Sequence, residues 1–159
     1  MKIPLFILII LCITFSCESS SLLLGPRNRQ KRHNSGLNPY PFSVCRNTPT
    51  DLVVSSLNIS PDPPIKGASI LVQLNGTIDE QLTKGSNFDI NVLFMGIKIY
   101  SEKIDMAQAT TLPVNSGPIT FRYSVLIPSD APSGPYIVQL IFNDQTNTEI
   151  GCISVYFNL

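Results

Sequence analysis

The sequence predicts an all-β fold, an immunoglobulin-like sandwich of about seven strands, and three observations predict it. From Thr50 onward, short runs of alternating apolar and polar residues succeed one another, the period of a strand buried on one face. Proline and glycine break these runs at short intervals, as turns require. The composition agrees: 13 Pro and no Trp among 159 residues suit many short strands better than a helical bundle, and 43% apolar content is ample for one core.

Ahead of the strands, Met1 and Lys2 precede an apolar run over residues 3–15, followed by Ser16, Cys17, Glu18 and Ser19. Residues 1–17 read as a secretory signal peptide, because the run is shorter than the roughly 20 residues of a membrane-spanning helix and Thr14 and Ser16 suit cleavage. Residues 18–41 carry Arg27, Arg29, Lys31 and Arg32, then Asn34, Ser35, Gly36, Asn38 and Pro39, and are expected to form a disordered leader. The spacing Arg29-Gln30-Lys31-Arg32 is one that a processing protease reads, which would make the leader a propeptide ending at Arg32; an uncleaved flexible arm is the alternative. The folded domain is expected over 42–159.

In the first predicted strand Val53, Ser55, Leu57 and Ile59 share one face and Val54, Ser56 and Asn58 the other, until Pro61-Asp62-Pro63-Pro64 halts the pairing. Residues 68–77 resume with Ile70, Val72 and Leu74 on one side, and Gly85-Ser86 leads into Phe88, Ile90, Val92 and Phe94. Residues 97–100, 120–127, 136–142 and 150–157 supply the remaining strands. The strand at 136–142 is apolar on both faces, with Tyr136, Val138, Leu140 and Phe142 on one and Ile137 and Ile141 on the other. Such faces need a partner sheet. Alternation alone predicts a packed core, because it does not distinguish sheets in contact from sheets held apart.

Of the four cysteines, Cys12 lies in the signal and Cys17 at its edge, leaving Cys45 and Cys152 in the folded part. In an exported chain these two are expected to form one disulfide, and two cysteines alone make no zinc site. Lys plus Arg and Asp plus Glu number 11 each, so no basic field points to nucleic acid. Without Lys2, Arg27, Arg29, Lys31, Arg32 and Glu18, six basic and ten acidic residues remain, a formal charge of −4. The single histidine, His33, falls in the leader, which leaves the folded part without a Ser-His-Asp arrangement. Asp79-Glu80 borders a Lys-Gly turn and reads as a solvated loop rather than an acid/base pair. The expectation is a protein that is not an enzyme and that uses no metal and no cofactor.

Three sequence features then occur in order: Pro61 to Gly67 at the end of LVVSSLNISPDPPIKG, Ile127-Pro128 with Ser133-Gly134-Pro135-Tyr136, and Cys152 closing IPSDAPSGPYIVQLIFNDQTNTEIGC. With Cys45 ahead of them, the stretch 42–159 resembles the ML lipid-recognition family, nearest its phosphatidylglycerol/phosphatidylinositol transfer proteins and its Niemann-Pick lumenal cholesterol carriers. The resemblance implies two splayed sheets with an apolar cavity between them, a bridge from the first cysteine to the last, and a lipid ligand. Relatives commonly carry further internal disulfides and a Trp near the C-terminal strands, and this sequence has neither.

Alternation within that picture places the lipid-binding wall at Val72, Leu74, Phe88, Ile90, Val92, Phe94, Phe121, Tyr123, Tyr136, Val138 and Leu140. Phe121 and Tyr123 rank first, since relatives place cavity aromatics before the Ile-Pro turn, and a tyrosine meets an acyl chain with its ring and a headgroup with its hydroxyl. Asn58 in Asn58-Ile59-Ser60 and Asn75 in Asn75-Gly76-Thr77 are permitted glycosylation sites opposite the apolar faces. The functional expectation is a secreted monomer that carries a phospholipid such as phosphatidylglycerol or phosphatidylinositol between membranes, touching their surfaces transiently. It would work outside the cell or in the lumen of an endosomal or lysosomal compartment. The alternatives are a sterol carrier, a lipid-sensing accessory of a receptor, and an adhesive sandwich with a filled core. The carboxylate excess further predicts repulsion from anionic membranes, and hence transfer slightly faster toward endosomal pH.

Overall fold

The structure is a computed structural model that describes residues 40–159. The signal at 1–17, the leader up to Pro39, and with them Cys12, Cys17, Arg32 and His33, lie outside the described residues.

Eight strands are described: β1 (Phe42–Val44), β2 (Leu52–Ser60), β3 (Ser69–Ile78), β4 (Asn87–Phe94), β5 (Ile97–Asp105), β6 (Gly117–Leu126), β7 (Pro135–Asn143) and β8 (Glu149–Asn158), with one 3-10 turn at Met106–Gln108. They form two antiparallel sheets, one ordered β1-β8-β7-β4-β5 and one ordered β2-β3-β6. Seven of these strands coincide with the predicted runs, although burial does not alternate in all of them: β5 is exposed nearly throughout, and β8 is buried on both faces from Ile150 to Val155. The eighth, β1, has three residues, too few to show a period, and exists by pairing Phe42 with Val155 and Val44 with Ile153. Tyr40, grouped with the leader at the sequence level, packs against the core, and its backbone N–H donates to the Leu57 carbonyl.

One predicted face is wrong in its first half. A β-bulge in β2 pairs Val54 with Gly76 but Ser56 with Asn75, so Ser55 is the extra residue and the phase flips across it. Leu52 and Val54 therefore point inward before the bulge and Leu57 and Ile59 after it, while Val53 is 53% exposed. The bulge also explains the glycine opposite. A Cβ on Gly76 would lie 2.5 Å from the Val53 carbonyl oxygen, a separation only glycine avoids.

The two ends of the sandwich are built differently. At one end Leu82 from the β3–β4 loop and Met106 from the 3-10 turn insert between the sheets, both fully buried. Leu82 is fixed by exchanging backbone hydrogen bonds with Val114 at 2.9 Å, and Asp105 caps the 3-10 turn by accepting the Ala107 N–H at 2.9 Å. With Leu52, Ile78, Ile104, Ile119 and Ile150 these residues make a filled core, here called the closed end. The β7–β8 turn belongs to the same end, held by Asp144, whose Oδ1 accepts the N–H groups of Thr146 and Thr148 at 2.8 Å each. Cys45 and Cys152 are bridged, with Cα atoms 5.3 Å apart, fastening the chain after β1 to β8. At the other end the loops are Pro-, Ser- and Ala-rich, Pro64 and Ile127 are their buried apolar members, and Ile127 to Pro132 edges a cavity between the sheets.

Candidate functional site

Below the closed-end core the sheets enclose a cavity of about 590 Å³. The inward faces of six strands supply most of its wall because alternation brings every second residue of each strand to one side. β3 contributes Ile70, Val72 and Leu74, and β4 contributes Phe88, Ile90 and Val92. β6 contributes Phe121, Tyr123 and Val125, and β7 contributes Tyr136, Val138, Leu140 and Phe142. Ile59 of β2 with Val155 and Phe157 of β8 extend it, and Ile99 and Tyr100 of β5 edge it. Three aromatic contacts floor it against the closed end: Phe88 meets Tyr123 edge-on at 5.4 Å between ring centroids, Phe88 stacks on Phe142 at 5.9 Å, and Phe121 tilts against Phe142 at 5.2 Å.

Ten of the eleven residues nominated from the sequence stand in this wall: Val72, Leu74, Phe88, Ile90, Val92, Phe121, Tyr123, Tyr136, Val138 and Leu140. Phe94 does not. It has the inward phase of β4, but it lies at the strand's end, where its ring packs on Tyr136 at 5.0 Å and covers Gly134. The expectation of a packed core at these positions, drawn from alternation alone, gives way as well. Val72, Val92, Tyr123 and Val138 all face the opposite sheet yet are only half-buried, which a filled interior would not allow.

Sequence reasoning missed two kinds of lining residue. Ile70, Phe142, Val155 and Phe157 share the phase of nominated neighbours and were legible by extending the same alternation. Ile99, Leu126 and the segment from Ile127 to Pro132 were not legible, because Ile99 is the extra residue of a second bulge, between Leu93 paired to Lys98 and Val92 paired to Tyr100, and the segment is a loop without period.

The wall is apolar almost throughout, and Asp130 is its only charged lining residue among the described residues. Tyr136 Oη donates to the Pro132 carbonyl at 2.9 Å and is thereby satisfied. On the flank, Tyr100 Oη donates to Glu102 Oε2. That hydrogen bond, then burial and the carboxylate charge, raise the Tyr100 phenol above its ordinary value. Burial, then the Glu102 charge, raise Tyr123 likewise. Both phenols remain protonated at neutral pH and present neutral hydroxyls beside the cavity. Asp79 and Glu80 sit in the β3–β4 loop at the closed end, where burial and the Asp144 and Asp51 charges raise the Glu80 carboxyl, away from the cavity. The sequons lie on the outward face of the three-stranded sheet; Asn75 Nδ2 donates to Ser56 Oγ and its Oδ1 accepts from Thr120 Oγ1, each at 2.9 Å.

A two-sheet sandwich that keeps an apolar chamber of this size is the architecture of a small-ligand-binding protein rather than of a filled adhesive domain. The chain belongs to the ML domain family, whose model matches residues 39–159. A Dictyostelium discoideum protein provisionally named a phosphatidylglycerol/phosphatidylinositol transfer protein is 31% identical over 121 residues, 74% of this chain and 85% of its own length. Among solved structures, a Niemann-Pick type C2 protein from the Japanese carpenter ant matches with a TM-score of 0.62 at 13% identity, over 75% of this chain and 98% of that one. Chicken MD-1 complexed with lipid IVa matches with a TM-score of 0.54 at 8% identity, again over 75% of this chain and 98% of that one. These two structures share the fold.

Proposed function

We propose that the protein is a secreted or lumenal monomer that takes a phospholipid, such as phosphatidylglycerol or phosphatidylinositol, into the cavity by its acyl chains and transfers it between membranes without hydrolysing it. The cavity carries this reading. An apolar void of 590 Å³ left dry and empty would cost on the order of 10 kcal/mol by the scaling for engineered cavities, comparable to the whole stability of a domain. An acyl chain relieves that cost and is itself removed from water at about 0.8 kcal/mol per methylene. The name of the Dictyostelium relative supports the phospholipid class, and the bridge between Cys45 and Cys152 supports an oxidising compartment. Carrying a lipid needs neither a nucleophile nor a metal or cofactor.

A sterol is the second reading, favoured by one observation: among the described lining residues none is Lys or Arg, while Tyr123 offers a neutral hydroxyl to a small polar end. Extraction of the purified protein followed by lipid mass analysis separates the two, with vesicle-to-vesicle transfer of a fluorescent phospholipid as the functional measurement. Protein that yields no co-purified lipid and transfers no faster than buffer would end the carrier reading, and fatty acid released during transfer would make the protein an enzyme.

A further inference from the structure

We propose that the open end of the sandwich is the face that docks on a lipid bilayer, with the tip of the β4–β5 hairpin entering the interface; this rests on the carrier reading and names its docking surface. Exposed apolar side chains concentrate there. Among described large apolar residues exposed by more than half, Ile65, Met95, Ile97, Ile99 and Leu126 belong to this end, with Met95 at 71% and Ile97 at 70%. Tyr156 lies on an outer sheet face, and only Val44 and Val53 lie toward the closed end.

The hairpin turn itself is unusual. Met95 and Gly96 form its two residues, with φ of 51° and 83°. Asn and Gly are the usual occupants of that left-handed pair. A methionine held there with its side chain in solvent is unfavourable for a hairpin that meets only water, and finds its use against an apolar surface. Ile99 and Leu126 also line the cavity, so the exposed patch is continuous with the chamber wall. An acyl chain passing from a bilayer into the chamber along them stays out of water.

Charge is segregated along the same axis. Asp51, Asp79, Glu80, Asp105, Asp144 and Glu149 lie at the closed end, and Asp89 and Glu102 stand on β4 and β5 above the hairpin tip. At the open end Asp62 and Asp130 are matched by Lys66 and Lys98. Arg46, Lys84, Lys103 and Arg122 offset half of those eight carboxylates, so the formal −4 of the folded part resides away from the docking face. A strand the length of β3 spans roughly 30 Å, several times the Debye length of roughly 8 Å at physiological ionic strength. Repulsion by the net charge, expected from composition, loses its basis at this face. Lys98 lies between Ile97 and Ile99, where its ammonium can meet anionic headgroups while its stem follows apolar neighbours.

The chain contains no tryptophan, so a single introduced one reports its own surroundings. Ile97→Trp and Val53→Trp are each mixed with phosphatidylcholine vesicles doped with phosphatidylglycerol, with and without brominated acyl chains. Blue-shifted, bromine-quenched emission is expected at position 97 and unchanged emission at position 53. In vesicle flotation, the double variant Met95→Asp with Ile97→Asp is expected to lower the bound fraction roughly tenfold. Its uptake of a fluorescent fatty acid should be unchanged, since neither residue lines the cavity. Equal quenching at the two positions, or flotation unaffected by the aspartates, would overturn the docking face. Native protein that takes up the fatty acid yet does not float overturns it too, and points to a protein partner for this end. Failure of fatty-acid uptake by the native chain counts against the carrier reading alone, because flotation and quenching still decide the docking face.

Discussion

Enlarging Val138 tests whether the chamber is hollow, because the sign of the stability change differs between a chamber and a filled core. Val138 sits in the middle of β7, paired with Val92 on one side and Val155 on the other, half-buried and facing the cavity. In Val138→Phe the added ring has free space and apolar neighbours, so the ligand-free protein should gain about 0.5–2 kcal/mol, as cavity-filling substitutions do. In a close-packed interior the same volume would cost about 1–3 kcal/mol. The two outcomes differ by about 3 kcal/mol, which is on the order of 10 °C in Tm for a domain of this size. Leu57→Phe is the internal comparison, since Leu57 is fully buried and lies outside the cavity wall; it should be destabilised. Thermal and urea unfolding of delipidated protein give the stabilities, and titration with a fluorescent fatty acid should show capacity reduced in Val138→Phe. Equal destabilisation of the two variants would refute the hollow interior and with it the proposed function.

Three further outcomes are expected. In the processed protein Cys45 and Cys152 resist alkylation without reductant, and replacing both by alanine lowers the unfolding free energy by about 4–5 kcal/mol in the chain-entropy model for a 107-residue separation, read by urea titration. Tyr123→Asp leaves a folded protein that retains less lipid on extraction, because Tyr123 is half-buried, whereas Phe121→Asp buries a charge beside Phe142 and unfolds. Burial pushes the Asp144 carboxyl up, but hydrogen bonds from Thr148 and Thr146 outweigh it and hold the group below its ordinary value. Its contribution to stability is present above the unfolded value of about 3.9 and is lost as pH falls through the folded one. Asp144→Asn should therefore be less stable at neutral pH and show a shallower loss of stability in acid.

Strands such as β4 and β6 were legible in the sequence because each is buried on one face, and one-sided burial writes a period of two. Where the backbone departs from that period, the reading failed. The bulge at Ser55 exchanges the faces of β2, so Val53 was expected inward and is exposed; the bulge at Ile99 brings adjacent residues, Ile99 and Tyr100, into the wall together, which strict alternation does not allow. Phe94 kept the right phase but not the right position along the strand, and alternation carries no information about depth. The chamber itself was not legible from pattern. Val92 or Val138 looks the same in sequence whether a partner side chain or empty space lies across from it, and only the resemblance to a family supplied the expectation of space.

What makes one end solid and the other hollow is where the connections send their side chains. The β3–β4 loop and the 3-10 turn return Leu82 and Met106 between the sheets, and the bridge from Cys45 to Cys152 ties β8 to the chain beside β1. Of the opposite connections, Ile127 to Pro132 edges the chamber, and Pro61 to Gly67 buries Pro64 while leaving Ile65 in solvent. Stability is thereby concentrated away from the cavity, since the filled end supplies the close-packed contacts that an unfilled chamber forgoes. Loops that carry little of the core can move at small cost to the whole, which is what admitting and releasing a long apolar chain requires. The same division also leaves the net negative charge away from the end where most of the exposed apolar side chains gather, so the end best suited to opening is the end best suited to meeting a membrane.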